Sequence, residues 1–383
     1  MKKVCVIITN RAHYARGKLV LKEINEHPKL ELQLIVAGSA LIEKYGKIIK
    51  NIEEDGFKID KKITMLLEGG TPTAMAKTTG LGLLEFSTAF ENLKPDIVLI
   101  RGDRYEILAP AIAAAYLNIP LAHIEGGDVT GTIDESVRHA VTKLAHIHFA
   151  TNELSKERIL KMGELPENVY NVGSPDAEFL NVQDLTFNQK ELWNGEIIGV
   201  GAQPNLSKKY IIVIQHPVTS EHKKALEQTE ETINAIHELK IPTIWIWPNV
   251  DAGTDELSKA IRIYREKTDQ NHIHFFRFLD PTLFAKLLKN AACIVGNSSA
   301  GIKESSFLGT PAVNIGTRQQ GRLKDKNVID VPHNKEKIKE AILSQINNGQ
   351  YNSSKLYFKP STSKQIAKIL EDSKINIQKR LNY

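Results

Sequence analysis

Two doubly wound α/β domains facing each other across a cleft are what this sequence predicts, and three observations carry the prediction. The chain has 383 residues, too many for one ordinary core and enough for two domains of roughly 150 to 200 residues. From the first residues, short β-branched runs alternate with helical patterns, as in a parallel sheet covered by helices on both faces. The alternation fades across about 181–209, where Asn, Gln, Gly and Pro collect, and then resumes. The expected domains are therefore residues 1–180 and 205–358.

In the first half the runs predict strands at 4–9, 31–37, 96–100, 120–125 and 146–150. Helices are expected near 15–25, 74–92, 107–116, 135–144 and 153–162. The second half predicts strands at 210–215, 243–247, 274–278, 293–296, 312–315 and 327–331. In the run at 243–247, Trp245 and Trp247 alternate with Ile244 and Ile246, which suits a structural role in a buried strand.

Composition narrows the function. Apolar residues make up 42%, charged residues 25% and aromatics 7% of the chain, an ordinary globular balance without a disordered block. The formal charge of +5 is spread along the chain apart from a basic tail at 374–380. That suits a small anionic ligand better than nucleic acid, which favours a concentrated basic patch with stacking aromatics. No apolar run reaches the roughly 20 residues of a membrane span, and polar Thr9-Asn10-Arg11 arrives too soon for a signal peptide. Cys5 and Cys293 lie in apolar strand-like runs and read as reduced core thiols. A cytoplasmic protein without membrane or nucleic-acid partners is expected.

In doubly wound sheets ligands sit beyond the carboxyl ends of the strands, so the polar residues directly after each apolar run are the candidates. Asp103 and Glu125 follow consecutive strands separated by one helix, which should set their carboxylates side by side, with Asp134 in the same region. Each could instead cap the next helix or pair with Arg104. Gly296-Asn297-Ser298-Ser299-Ala300-Gly301 follows a strand and precedes a helix at 302–307, so backbone amides and two hydroxyls would face an anion. Glu304, in the first turn or so of that helix, could accept both hydroxyls of a ribose or serve as a cap. Arg318 and Arg322 follow the next strand and suit either phosphate or a helix partner. His139, His146 and His148 have no zinc-like spacing. No nucleophile elbow, Walker loop or G-x-G-x-x-G loop appears, and no carboxylate cage for magnesium. Catalysis without metal or cofactor is the expectation.

The set Asn10-Arg11-Ala12-His13-Tyr14, Arg101-Gly102-Asp103-Arg104, His123-Ile124-Glu125-Gly126-Gly127-Asp128-Val129-Thr130-Gly131-Thr132-Ile133-Asp134, Ser136-Val137-Arg138-His139, Gln215-His216-Pro217-Val218-Thr219, Pro248-Asn249-Val250-Asp251-Ala252-Gly253, Gly296-Asn297-Ser298-Ser299 and Gly316-Thr317-Arg318-Gln319 closely resembles the hydrolysing UDP-N-acetylglucosamine 2-epimerases of sialic and related nonulosonic acid synthesis. The likeness runs in order through residue 330 or so. It implies a fold like the GT-B glycosyltransferases, conversion of UDP-N-acetylglucosamine to N-acetylmannosamine and UDP, and a segment at 360–383 that crosses back onto the first domain. It also implies a homo-oligomer, dimer or tetramer. Carried over by position, the catalytic carboxylates fall on Asp103, Glu125 and Asp134, and the nucleotide contacts on Arg11, Arg104, His216, Asn249, Ser298, Ser299, Glu304 and Arg318. Departures lie near where the sugar should sit: Ala37-Gly38-Ser39-Ala40 where many members carry a histidine, Arg101 for a frequent histidine, and Ala15 for a small polar residue.

The implied chemistry constrains the mechanism. The C2 hydrogen of an N-acetylhexosamine has no adjacent carbonyl, so direct deprotonation is unfavourable. Loosening the C1–O bond first, with arginines and amides stabilising the departing diphosphate, builds oxocarbenium character that acidifies C2. One carboxylate then takes the proton to give a glycal, and an acid later returns a proton to the other face while water adds at C1. The sequence leaves base and acid open among the three carboxylates. It also leaves open a diacetamido or GDP-linked sugar, a GT-B glycosyltransferase, and a sensor that binds without turnover.

Overall fold

The computed structural model describes residues 1–382 except 44–47, 194, 196, 198, 249, 250, 269 and 270. The first half runs β1 (Lys2–Ile8), α1 (Arg11–Asn25), β2 (Leu30–Ala37), α2 (Ile48–Glu54), β3 (Lys61–Ile63), α3 (Pro72–Leu93), β4 (Ile97–Arg101), α4 (Leu108–Tyr116), β5 (Leu121–Ile124), α5 (Ile133–Leu144), β6 (Ile147–Ala150), α6 (Glu153–Lys161), β7 (Val169–Asn171) and α7 (Pro175–Asn181). The second half runs β8 (Gly199–Gly201), β9 (Ile211–Ile214), α8 (Ala225–Leu239), β10 (Thr243–Ile246), α9 (Thr254–Lys267), β11 (Ile273–Phe276), α10 (Pro281–Asn290), β12 (Cys293–Gly296), α11 (Lys303–Leu308), β13 (Ala312–Ile315), β14 (Val328–Val331), α12 (Lys335–Asn348) and α13 (Thr362–Asp372).

Among the described residues, the strands form two seven-stranded sheets, ordered β3-β2-β1-β4-β5-β6-β7 and β14-β13-β12-β9-β10-β11-β8. The pairs are parallel except β8, which runs antiparallel to β11. Period-2 alternation splits each sheet's side chains between two cores. Val4, Val6 and Ile8 face α1 and α13, while Cys5 and Ile7 face Phe86 and Phe90 of α3. Ile211 and Val213 pack with α8 and α9, while Ile212 and Ile214 pack with α10. Strand order reverses at β1/β4 in one sheet and at β9/β12 in the other, which opens a crevice at each strand end. The loops after β1, β4, β9 and β12 therefore line the site.

The expected strands in both halves are present, and the observed fold adds α2, β3, β7, α7 and β8. Each added strand is three residues long, Lys-Lys-Ile, Val-Tyr-Asn and Gly-Val-Gly, too short to display a period. The supposed connector at 181–209 thus contributes β8 to the second sheet as an edge strand. Trp245 is fully buried, and Trp247 donates its indole N–H to Ser258 Oγ at 3.1 Å. Among the described residues no helix is long and apolar enough to cross a membrane.

The chain's last helix packs on the first sheet: Ile366, Ala367 and Leu370 join the β1 core, and Lys2 Nζ donates to the Leu370 carbonyl at 2.7 Å. Beyond it, His146 Nε2 donates to the Ile377 carbonyl at 3.0 Å and Lys379 Nζ lies 2.7 Å from Glu164 Oε2. Burial works against ionisation of Glu164, but His148, Lys143 and Lys379 outweigh it and hold its carboxyl at about 2, below its usual 4.5. A depressed pKa contributes stability above the unfolded value, and this is lost as pH falls from 4.5 toward about 2. Glu164→Gln is therefore expected to cost about 2 kcal/mol at neutral pH. Thermal melts should show the gap to wild type narrowing as the medium is acidified through that window.

Candidate active site

The two sheets present their strand ends to each other, and side chains cross between them. Asn10 caps α1 by accepting from His13 N at 3.0 Å, which fixes Arg11 as the first helical residue. From there Arg11 Nη1 donates across the cleft to the Arg277 carbonyl at 3.0 Å. One turn on, Arg16 pairs with Glu304 of α11, and its Nη1 lies 3.5 Å from Ser299 Oγ. Arg104, after β4, pairs with Glu106 at 3.2 Å and with Asp251 of the second domain at 2.8 Å. Arg104 therefore takes neither Asp103 nor Glu125 as its partner, contrary to the simplest structural expectation.

The second domain's loops are tied together by Asn297. Its Oδ1 accepts from His216 N at 2.7 Å, its Nδ2 donates to the His216 carbonyl at 2.8 Å, and its own carbonyl accepts from Arg318 at 3.1 Å and Gln319 at 3.0 Å. Gly296 has φ +126°, and a Cβ there would stand 2.1 Å from the Ile214 carbonyl oxygen, so only glycine brings β12 this close to β9. The following Ser298 hydroxyl accepts from Ala300 N at 3.3 Å, capping a short 3₁₀ turn at Ser299–Gly301 ahead of α11. Burial, then Arg318, Arg11 and Arg104, hold the His216 imidazole well below its usual range, so it is neutral.

A cavity of ≈ 460 Å³ lies between the domains. It brings together Arg11, His216, Ser298, Ser299, Glu304 and Arg318. Its wall also includes apolar Phe278, Leu279, Pro281 and Ile48, together with Tyr14. Glu304 Oε2 is buried here without a partner, an acceptor left for a ligand hydroxyl. Burial raises its carboxyl above the usual range against the pull of Arg16. Asn249 lies outside the described residues.

Asp103, Glu125 and Asp134 are not in this cavity's wall, which Asp134 meets at Arg318 and which Glu125 approaches through Lys303, the neighbour of Glu304. Asp103 pairs with the fully buried Arg138, and Arg322 Nη2 lies 4.0 Å from it. Glu125 accepts from Arg101 at 3.0 Å and from Lys303, on α11 of the other domain, at 2.6 Å. Asp128, its Oδ1 held by Ser155 at 2.7 Å and Thr151 at 3.1 Å, offers Oδ2 to Lys303 and Arg322, each at 3.5 Å. Asp103 and Glu125 thus belong to one ionic network, each under its own cation instead of directly paired. Asp134, with its amide capped by Thr132, reaches Arg318 at 3.8 Å. Burial raises the Asp134 carboxyl and Arg318 pulls it back only in part, whereas at Glu125 burial is outweighed by Arg101 and Lys303, which hold it well below the usual range. Two carboxyl groups of opposite bias in one cleft can serve as base and acid.

Sequence reasoning missed Arg16, Lys303, Asp176 and the tying role of Asn297. Asp176, in the first turn of α7, pairs with both Arg101 and Arg16. Asn297 lay inside the Gly-Asn-Ser-Ser run and was legible as part of the loop. Lys303 stands in the polar helix start Lys303-Glu304-Ser305-Ser306, where a charged residue is ordinary and gave no signal of a buried partner. Among the described residues no group of three or more His, Cys, Asp or Glu is placed to hold a metal ion.

The family model described as UDP-N-acetylglucosamine 2-epimerase matches residues 22–371. The GDP/UDP-N,N'-diacetylbacillosamine 2-epimerase (hydrolyzing) of Campylobacter jejuni is 35% identical, covering 86% of this chain and 84% of its own length. The UDP-N,N'-diacetylbacillosamine 2-epimerase (hydrolyzing) of Legionella pneumophila is 33% identical over 99% of this chain and 98% of its own. The UDP-N-acetylglucosamine 2-epimerase of Neisseria meningitidis is 31% identical over 92% and 89%. Among solved structures, a UDP-GlcNAc 2-epimerase from Neisseria meningitidis bound to UDP-GlcNAc superposes with a TM-score of 0.77 at 17% identity, over 97% of this chain and 100% of that one. The Methanocaldococcus jannaschii UDP-GlcNAc 2-epimerase in complex with UDP-GlcNAc and UDP gives 0.77 at 19% identity, over 96% and 99%. These likenesses establish a GT-B-like two-domain fold.

Proposed function

The chain belongs to the UDP-N-acetylglucosamine 2-epimerase family, and we propose that it is a hydrolysing 2-epimerase of a UDP-linked 2-acetamido sugar. The observation that carries this reading is the cleft itself: a cavity with serine hydroxyls, arginines and an unpartnered glutamate oxygen is tied to Asp134 through Arg318 and to Glu125 through Lys303, the neighbour of Glu304. In the proposed reaction the bond from C1 to the diphosphate oxygen breaks, its electrons leaving with UDP toward Arg11 and Arg318. A carboxylate takes the C2 proton, and the C1–C2 double bond of a glycal forms. Water oxygen then bonds to C1, a carboxylic acid delivers a proton to the opposite face of C2, and the water's surplus proton returns to the protein. The sum is nucleotide sugar plus water giving the 2-epimer and UDP. Catalysis through these groups calls for no metal, and we propose a cytoplasmic homo-oligomer as the working form.

Two substrates fit. UDP-N-acetylglucosamine would give N-acetylmannosamine, the reaction implied by the motifs. A UDP-linked diacetamido sugar is supported by relatives 35% and 33% identical that are named for it. A panel of UDP- and GDP-linked sugars, scored by nucleotide released without any acceptor, decides between them. Release requiring an acceptor would instead indicate a glycosyltransferase, and tight binding without release a sensor.

In this reading the ribose hydroxyls bond to Glu304. Glu304→Ala is expected to weaken UDP binding roughly ten- to a hundred-fold, as for a lost charged hydrogen bond of about 1.5–3 kcal/mol. Unchanged affinity in calorimetry would remove Glu304 from the nucleotide site.

A further inference from the structure

We infer that Lys303 is a positioning residue of the reaction, which reaches across from the second domain to hold Glu125 ionised only when the domains are together. The inference rests on the proposed epimerase reading. Lys303 opens α11 and is 3% exposed. A buried ammonium is costly unless it is paired and hydrogen-bonded, so packing alone does not account for it. Its Nζ lies 2.6 Å from Glu125 Oε1 and 3.5 Å from Asp128 Oδ2, and 5.6 Å from the ring centroid of Tyr357. Both carboxylates belong to the first domain, and Asp128 is itself fixed by Ser155 and Thr151. The next residue, Glu304, turns to the cavity and to Arg16. Two consecutive residues of one short helix thus address the nucleotide cavity and the catalytic carboxylate. Whatever seats α11 for the nucleotide also places a cation on Glu125.

The other groups around Glu125 do not replace that cation. From β4, Arg101 reaches Glu125 but is shared with Asp176 of α7. Arg16 of α1 is committed to Glu304 and Asp176. Two histidines face it as well: burial, then Arg101 and Arg104, lower His13 to about 3, and burial lowers His123 to about 4, so neither carries charge at neutral pH. Tyr357 and Asp128 add no positive charge. Without Lys303, Glu125 keeps half of one guanidinium and binds a proton more readily.

The test compares pH–rate profiles of nucleotide release for wild type, Lys303→Met, Lys303→Arg and Glu125→Gln, with UDP affinity measured alongside. Lys303→Met is expected to lower kcat about 10- to 100-fold at neutral pH and to move the acidic limb up by at least about one pH unit. UDP affinity should stay within about threefold, since the lost contact is not to the nucleotide. Lys303→Arg should restore most of the rate and return the limb. In a Glu125→Gln background, Lys303→Met should cost little more. If Lys303→Met fails to fold, Lys303→Gln, which keeps a donor and removes the charge, is read by the same criteria. An unmoved acidic limb, or an equal loss in the Glu125→Gln background, overturns the inference while leaving the epimerase reading intact. A wild-type enzyme that releases no nucleotide from any sugar overturns both.

Discussion

Turnover in heavy water is expected to leave one solvent deuterium at C2 of the released sugar, and Glu125→Gln or Asp103→Asn to lose at least about 10²-fold in kcat. Elimination discards the original C2 hydrogen and the later addition draws its replacement from solvent, so the label is a consequence of the two-step route. The size of the loss comes from charge. At Glu125 the cations Arg101 and Lys303 are arranged around a carboxylate, and an amide there neither accepts a proton nor neutralises them. Asp103 meets Arg138 and Arg322 in the same way. UDP affinity should change little in either variant, because the cavity proposed for the nucleotide is walled by Arg11, His216, Ser298 and Arg318 and not by these carboxylates. Mass spectrometry and proton NMR of the product read the label. A product with its original C2 hydrogen and unchanged configuration would falsify the elimination route and leave a simple hydrolase or transferase.

Much of the candidate site is legible in the sequence, for a physical reason. In a parallel sheet buried on both faces, strands appear as apolar runs, and the polar residues just past each run lie at the ligand edge. Arg11 after β1, Asp103 after β4, His216 after β9 and Ser298 after β12 are all of this kind. What the sequence could not show is which charges meet across the cleft. Arg16 with Glu304, Lys303 with Glu125 and Arg104 with Asp251 are pairs between domains, set by how two separate sheets face each other, and no local period encodes that. Asp176 was hidden for a second reason. It comes after β7, a Val-Tyr-Asn strand too short to announce itself, so the polar residue beyond it was not recognised as a strand-end residue. The edge strand β8 fell inside a stretch rich in Asn and Gly that resembled a linker, because a strand paired on one side needs little apolar surface.

Asp134→Asn is expected to stop the reaction halfway, releasing UDP together with an unsaturated sugar in place of the epimer. Asp134 sits in the first turn of α5 with its amide capped, and its carboxyl, unlike that of Glu125, is biased toward holding a proton: burial raises it and Asp251 nearby adds to the rise, against the pull of Arg318, Arg104 and the Thr132 hydrogen bond. A diphosphate bound at Arg318 would engage that opposing charge and strengthen the bias. The group suited to delivering a proton to the glycal is therefore Asp134, while Glu125, held ionised, is suited to removing one. A step that needs Asp134 protonated is fastest below its folded pKa and loses rate as pH rises through it, so wild-type kcat should carry an alkaline limb that vanishes in Asp134→Asn. Nucleotide release in a single turnover should survive in the variant, with vinylic proton signals of the glycal growing in step with UDP. Glycal supplied with UDP should be hydrated by wild type and left unchanged by the variant. If Asp134→Asn blocks UDP release as well, the group serves the first half-reaction, and the acid of the second must be sought at Asp103.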